Sequence, residues 1–147
     1  MLCAKGQYKP GLGSAACTQC RAFSPTHARG STNISACDCL AGYENTSSDL
    51  DPVGACSACS PGKYKPSFAD EACSACPSNA TSAVGSTALV DCQCSQGFTG
   101  LDGGECSACA KTTYKDTVGD APCTACPANA STANAASKTF AACQCDV

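Results

Sequence analysis

The chain has no tryptophan, one methionine (Met1) and one histidine (His27) in 147 residues. Leucine, isoleucine, valine and phenylalanine together number 16, about 11% of the chain, well under the roughly 20% below which a sequence rarely folds on hydrophobicity alone. The nominal hydrophobic share of 44% is supplied mainly by 26 alanines and 17 cysteines. A hydrophobic core of the size expected for this length is therefore excluded. No apolar run approaches the roughly 18 residues of a membrane span, so direct membrane insertion is not expected. With 9 Lys+Arg against 12 Asp+Glu and a net charge of −3, no basic run offers itself to nucleic acid.

What the chain has instead is cysteine, in a repeating rhythm. From Cys3 the gaps between successive cysteines are 13, 2, 16, 1, 16 and 2 residues. From Cys59 they are 13, 2, 15, 1, 11 and 2, and from Cys109 they are 13, 2, 16 and 1. One module thus runs about two and a half times, with expected boundaries 1–58, 59–108 and 109–147. Met1–Lys5 lacks the apolar stretch of a signal peptide, and the cysteine rhythm breaks off before Cys3 and after Cys145, so the first and last modules are expected to be cut. Closing a loop of about 15 residues stabilises by roughly 3 kcal/mol through the unfolded chain. Such bridges persist in oxidising compartments, which places the protein outside the cell or on its surface.

Within the first loop of each module, tyrosine follows the opening cysteine at a fixed offset (Tyr8, Tyr64, Tyr114), with lysine next (Lys9, Lys65, Lys115). The ring is expected to pack over the adjacent bridge, with the lysine stem along it and the ammonium in solvent. Gly6 and Gly62 suit a turn of positive φ, which Thr112 in the third copy does not. The second loop is rich in Ser, Thr, Ala and Asn with no clean periodicity, and is read as coil with short strands. After the first two C-x-C pairs stands glycine then an aromatic, Gly42-Tyr43 and Gly97-Phe98, the pattern of a tight, bulged hairpin.

The run Cys37-Asp-Cys39-Leu-Ala-Gly-Tyr, through Cys56-Ser-Ala-Cys59-Ser-Pro-Gly-Lys-Tyr-Lys and Cys73-Ser-Ala-Cys76-Pro, to Cys92-Gln-Cys94-Ser-Gln-Gly-Phe, resembles the ephrin-receptor-like cysteine-rich repeat, akin to tumour-necrosis-factor-receptor and EGF modules. The resemblance implies a small disulfide-rich fold, mostly β and coil with little helix, its modules stacked end to end as an elongated rod. The simplest pairing closes each loop on itself: Cys3–Cys17, Cys20–Cys37, Cys39–Cys56, Cys59–Cys73, Cys76–Cys92, Cys94–Cys106, Cys109–Cys123 and Cys126–Cys143. Cys145 is left over. A crossed pattern stays open, because connectivity does not follow from sequence.

Zinc would be the rival reading of five C-x2-C pairs, but one histidine and long uneven loops do not make a four-ligand knuckle, and neither metal nor cofactor is expected. His27, with no second base nearby, reads as a loop residue, and no catalytic constellation is present. Asp49/Asp51 and Asp70/Glu71 read as solvated loop charges. Four of the five asparagines open an Asn-x-Ser/Thr acceptor: Asn33, Asn45, Asn79 and Asn129. N-linked sugar is expected there, and O-linked sugar on the Ser/Thr tracts at 46–48, 81–87 and 131–139.

Two functions follow. One is a structural extracellular glycoprotein, a disulfide-stapled rod in a filament, coat or surface appendage, self-associating or joined to other matrix proteins; it resembles protist or algal filament proteins of the mastigoneme type. The alternative is the ligand-binding stem of a cell-surface receptor. That stem would call for an exposed aromatic or arginine-rich cluster, which Arg21, Arg29 and the eight ring residues are not expected to form.

Overall fold

A computed structural model describes residues 1–11, 13–46 and 54–146. Eight disulfides close consecutive loops: 3–17, 20–37, 39–56, 59–73, 76–92, 94–106, 109–123 and 126–143. Cys145 is free and exposed.

The described residues contain no α-helix. They form seven separate antiparallel strand pairs, of two or three residues a strand. The first loop of each copy folds on itself, pairing Gln7–Tyr8 with Thr18–Gln19, Lys63–Tyr64 with Ser74–Ala75, and Thr113–Tyr114 with Thr124–Ala125. The glycine–aromatic segments form the expected hairpins, Tyr43–Asn45 with Cys56–Ala58 and Phe98–Thr99 with Ser107–Ala108. Gly42 and Gly97 stand at φ +77 and +84 in those turns, a conformation that a Cβ penalises. In the second loop Ala80–Thr81 pairs Gln93–Cys94 and Ala130–Thr132 pairs Cys143–Cys145. The first copy keeps only a single bridge there, Thr26 to Cys37. A one-turn 3-10 helix precedes the closing cysteine of each second loop, at Ile34–Ala36, Leu89–Asp91 and Phe140–Ala142.

Strands this short are marginal alone, and the interior explains why they hold. Among the described residues, the buried apolar side chains are all cysteines, Cys39, Cys59 and Cys94 being wholly enclosed. Leu2, Leu101, Val84, Val90 and Phe140 are exposed. The remaining interior is polar. A hydroxyl six residues after the cysteine that opens the second loop is buried in every copy: Thr26, Ser82 and Thr132. It ties the second loop to the first. Thr26 Oγ1 accepts from Gly6 N at 3.1 Å, Ser82 Oγ donates to the Lys63 carbonyl at 2.8 Å, and Thr132 Oγ1 donates to the Lys111 carbonyl. The accessible surface is 8570 Å², against roughly 6900 Å² for a compact chain of this mass. That excess is what an end-to-end series of small modules exposes.

Candidate inter-module interface

The repeated lysine is not where the sequence places it. Lys9, Lys65 and Lys115 are buried, the latter two at 1% and 2% exposure, and their ammonium groups point into the protein rather than into water. The physical reason is hydrogen bonding: a buried ammonium is tolerated when carbonyl oxygens replace its hydration. Lys65 Nζ donates to the carbonyls of Cys39 (3.3 Å), Leu40 (3.2 Å), Tyr43 (2.5 Å) and Ala69. Lys115 Nζ donates to Phe98 O at 2.8 Å and to Gly119 O. Lys9 Nζ donates to Gly13 O at 2.6 Å and Ala15 O at 3.5 Å. In every copy one acceptor is the residue ten after the opening cysteine (Gly13, Ala69, Gly119). For Lys65 and Lys115 another is the aromatic of the preceding hairpin, Tyr43 or Phe98. The lysine therefore joins its own first loop to the module before it.

Backbone contacts complete the seat and recur in register. The hairpin glycine donates its N–H to the lysine carbonyl, Gly42 to Lys65 and Gly97 to Lys115, both at 2.9 Å. Its carbonyl accepts from the next opening cysteine, Cys59 N at 2.8 Å and Cys109 N at 2.9 Å. A Cβ on Gly42 would stand 2.3 Å from the Gly85 carbonyl, and one on Gly97 at 2.3 Å from that of Ala136. Glycine is thus required twice over, by φ and by the close approach. Burial strips water from the Lys65 ammonium and holds its pKa below the ordinary lysine value of 10.5, against the opposing pull of the Glu71, Asp70, Asp38 and Glu44 carboxylates.

The first junction carries a further cluster. Asp70, expected to be a solvated charge, accepts from Arg21 Nη2 at 2.9 and 3.1 Å, from the Cys39 amide at 2.8 Å and from Asn45 Nδ2 at 2.8 Å. Glu44 Oε2 accepts from the Cys73 amide at 2.9 Å, while Glu71 takes the Ser67 hydroxyl. The loop residue His27 pairs with Asp38 at 2.8 Å and stacks on Phe68 of the next copy, ring centroids 4.0 Å apart. The Cys39 and Cys56 sulfurs lie close to the Asp70 carboxylate. They are joined in a bridge and carry no thiolate for a metal. Asp49 and Asp51 lie outside the described residues, as do Ser47 and Ser48 of the first Ser/Thr tract.

The acceptor asparagines fall in three settings. Asn79 and Asn129 occupy the same turn of successive copies, exposed, at φ +62 and +57, the left-handed region that asparagine tolerates better than most residues. Asn33 is exposed and caps a 3-10 turn, its side chain accepting from Ser35 N at 3.0 Å. Asn45 is half-buried with its nitrogen engaged by Asp70.

In the first copy the turn of Asn79 and Asn129 holds Phe23, at φ +57 and 51% exposed. The correspondence is close: Leu40 N donates to Phe23 O at 2.9 Å as Ser95 N does to Asn79 O. A bulky side chain in this region is strained, and Phe23 stacks on Tyr43, centroids 4.4 Å apart and rings 12° from parallel. Arg21, Phe23, Pro25 and Leu40 line a groove of about 500 Å³. On this face Phe23 is the exposed aromatic, while Arg21 is largely covered, its side chain 15% exposed and held by Asp70.

These features define a class: tandem small modules, each stapled by bridges, seated on one another through a buried lysine and a hairpin glycine. Residues 1–37, 46–92 and 97–143 match the family described as tyrosine-protein kinase ephrin type A/B receptor-like. The chain belongs to that cysteine-rich repeat family. It is similar to human signal peptide, CUB and EGF-like domain-containing protein 3, at 34% identity over 62% of this chain and 9% of that protein. A rat protein named sushi, von Willebrand factor type A, EGF and pentraxin domain-containing protein 1 is 37% identical over 61% of this chain and 2% of its own length. Chicken ephrin type-B receptor 3 is 37% identical over 44% of this chain and 6% of its length. The chain therefore spans less than a tenth of each of these relatives. Its bridges and this kinship mark a cysteine-rich repeat protein of the extracellular kind.

Proposed function

We propose that the chain is a structural, glycosylated repeat segment of an extracellular filament, coat or surface appendage. The observation that carries this reading is the junction itself. Each copy is locked to the next by a lysine with almost no exposed surface and by backbone bonds in identical register, a linkage suited to transmitting load along a series. The exposed acceptors Asn79 and Asn129 recur at one turn of successive copies, and Asn33 is exposed as well, so sugar there would keep the flanks hydrated. Asn45 is the poorest acceptor of the four, because its nitrogen already donates to Asp70. Native material imaged by electron microscopy should show a polymer, and enzymatic deglycosylation should lower the mass of peptides carrying Asn79 and Asn129. Membrane-anchored single molecules with bare asparagines would overturn the reading.

One observation favours a second reading, the ligand-binding stem of a cell-surface receptor. The Phe23–Tyr43 stack beside Arg21 and Leu40 has the composition of a protein-binding hot spot. Phe23→Asn tests it, since the substitution restores the residue used in the other copies. It creates no new acceptor, because Pro25 follows Ser24. A receptor stem would lose ligand binding; a structural rod would assemble unchanged.

A further inference from the structure

The eight bridges divide the chain into two kinds of segment. Each bridge spans 12 to 17 residues of sequence and brings its two Cα atoms to between 5.5 and 5.8 Å. From Cys3 to Cys143 the segments left between consecutive bridges are only one or two residues long. Six of those seven segments lie in strands, among them Thr18–Gln19, Ser74–Ala75 and Ser107–Ala108. A strand rises about 3.3 Å per residue, close to the full reach of a chain. The seventh is Asp38, whose carboxylate holds His27. Everything else hangs off this line. The seat residues Gly42, Lys65, Gly97 and Lys115 lie inside bridged loops, and so do the acceptors Asn33, Asn45, Asn79 and Asn129. The third loop has 16 residues between its cysteines in the first copy and 11 in the second, yet the two bridges span 5.6 and 5.5 Å.

We propose that the chain is an inextensible covalent tether, in which tension along the repeats runs through the disulfides and the short strands between them and bypasses every loop. The inference rests on the reading of the chain as a structural repeat segment and names the kind of load that segment takes. Pulled straight, the path from Cys3 to Cys143 through the bridges measures about 110 Å, whereas the same residues without bridges would reach about 490 Å. Unfolding a loop does not lengthen the path, because the loop's two ends are joined covalently. A module held by packing alone extends once its contacts yield; this one extends only when a sulfur–sulfur bond is cleaved. The work is then divided: lysine seats oppose bending, and bridges oppose stretching. Loops can carry sugar and differ in length without changing the reach of the whole.

The test stretches single copies of the chain, in a Cys145→Ser background, between tags fused to its two ends. With the bridges intact the extension should rise smoothly to its limit without a step. A ten-residue Gly-Ser insert between the exposed Asp120 and Ala121, inside a bridged loop, should leave that limit unchanged. The same insert between Ser107 and Ala108 should raise it by about 35 Å. The limit depends on which cysteines are joined and not on packing, so both outcomes stand where an insert disturbs the fold. Dithiothreitol then reduces each bridge to two thiols and is itself oxidised to a cyclic disulfide. Each reduction should appear as one step, about 35 Å for Cys94–Cys106 and about 55 Å for Cys39–Cys56. Steps of that size before the reductant is added, or a longer limit from the insert after Asp120, would overturn the tether. The structural reading fails separately: a taut chain whose native form is a membrane-anchored single molecule overturns that reading and leaves the tether standing. Native filaments built from a chain whose loops lengthen under load do the reverse.

Discussion

Between the first and second copies the junction is tied by an ion pair; between the second and third the side-chain bonds among the described residues, the lysine's apart, are neutral. At the first, four carbonyls surround Lys65, and Asp70 gathers Arg21, Asn45 and the Cys39 amide. At the second, Lys115 meets Phe98 O and Gly119 O, and the added contacts are neutral: Gln96 Nε2 to Asp116 O at 2.7 Å and Thr99 Oγ1 to Ala121 O at 3.1 Å. Sequence explains the divergence. Position for position, Arg21 is replaced by Pro77, so Asp120 has no matching cation. Asn45 is replaced by Gly100, at φ +159, where a Cβ would come 2.2 Å from the Glu105 carbonyl. The third loop of the second copy has 11 residues between its cysteines rather than 16, and that tighter turn leaves no room for a side chain. What both junctions keep is the lysine, the hairpin glycine and the backbone bonds between them. Those are the minimum seat; the carboxylate cluster is an addition.

Removing the lysines should break the comparison most severely. Lys65→Met strands several buried carbonyls and should cost about 3 kcal/mol, and Lys115→Met about 2 kcal/mol, since fewer acceptors lose their donor. Urea unfolding with the bridges intact measures both. Equal costs would mean that the extra carbonyls around Lys65 contribute nothing.

A smaller effect should separate the junctions by salt. Arg21→Ala should cost no more than about 1 kcal/mol, because the pair with Asp70 is partly in water. Raising ionic strength should weaken the first junction and spare the second. Amide exchange at Cys59 and Cys109, one per junction, reports each separately. A salt response of the same size at both would contradict the assignment.

Smallest is the pH response of Lys65. Its folded pKa lies below 10.5, so on raising the pH the folded chain releases the proton before the unfolded chain does. Stability should then rise with pH through that lowered value and level off once the unfolded lysine has also titrated. Unfolding midpoints between about pH 8 and 11, in a Cys145→Ser background that prevents thiol shuffling, would show the rise. Lys65→Met should flatten it, and a fall in stability across the window would contradict the sign.

The class of fold was legible because cysteine spacing is a long-range signal written locally. A glycine and an aromatic after C-x-C announced the hairpins, which the structure contains. The seat was not legible. Tyr-Lys recurred at a fixed offset, and that recurrence was the available clue, but a lysine beside a tyrosine ordinarily reaches solvent. Its burial depends on carbonyls supplied by a hairpin some 22 residues earlier for Lys65. Asp70 and Arg21 are 49 residues apart, a pairing no local pattern proclaims. The equivalence of Phe23 to Asn79 and Asn129 lies in a shared turn, not in shared chemistry, so no residue pattern carries it.

The most direct test of the account is to observe the lysine ammonium groups themselves. In a uniformly labelled sample, Lys65 and Lys115 should give slowly exchanging NH3+ signals. Couplings across the hydrogen bonds should run from Lys65 Nζ to the Tyr43 and Ala69 carbonyl carbons and from Lys115 Nζ to those of Phe98 and Gly119. Ammonium groups in fast exchange with water, with no such couplings, would contradict a seat built on buried lysine.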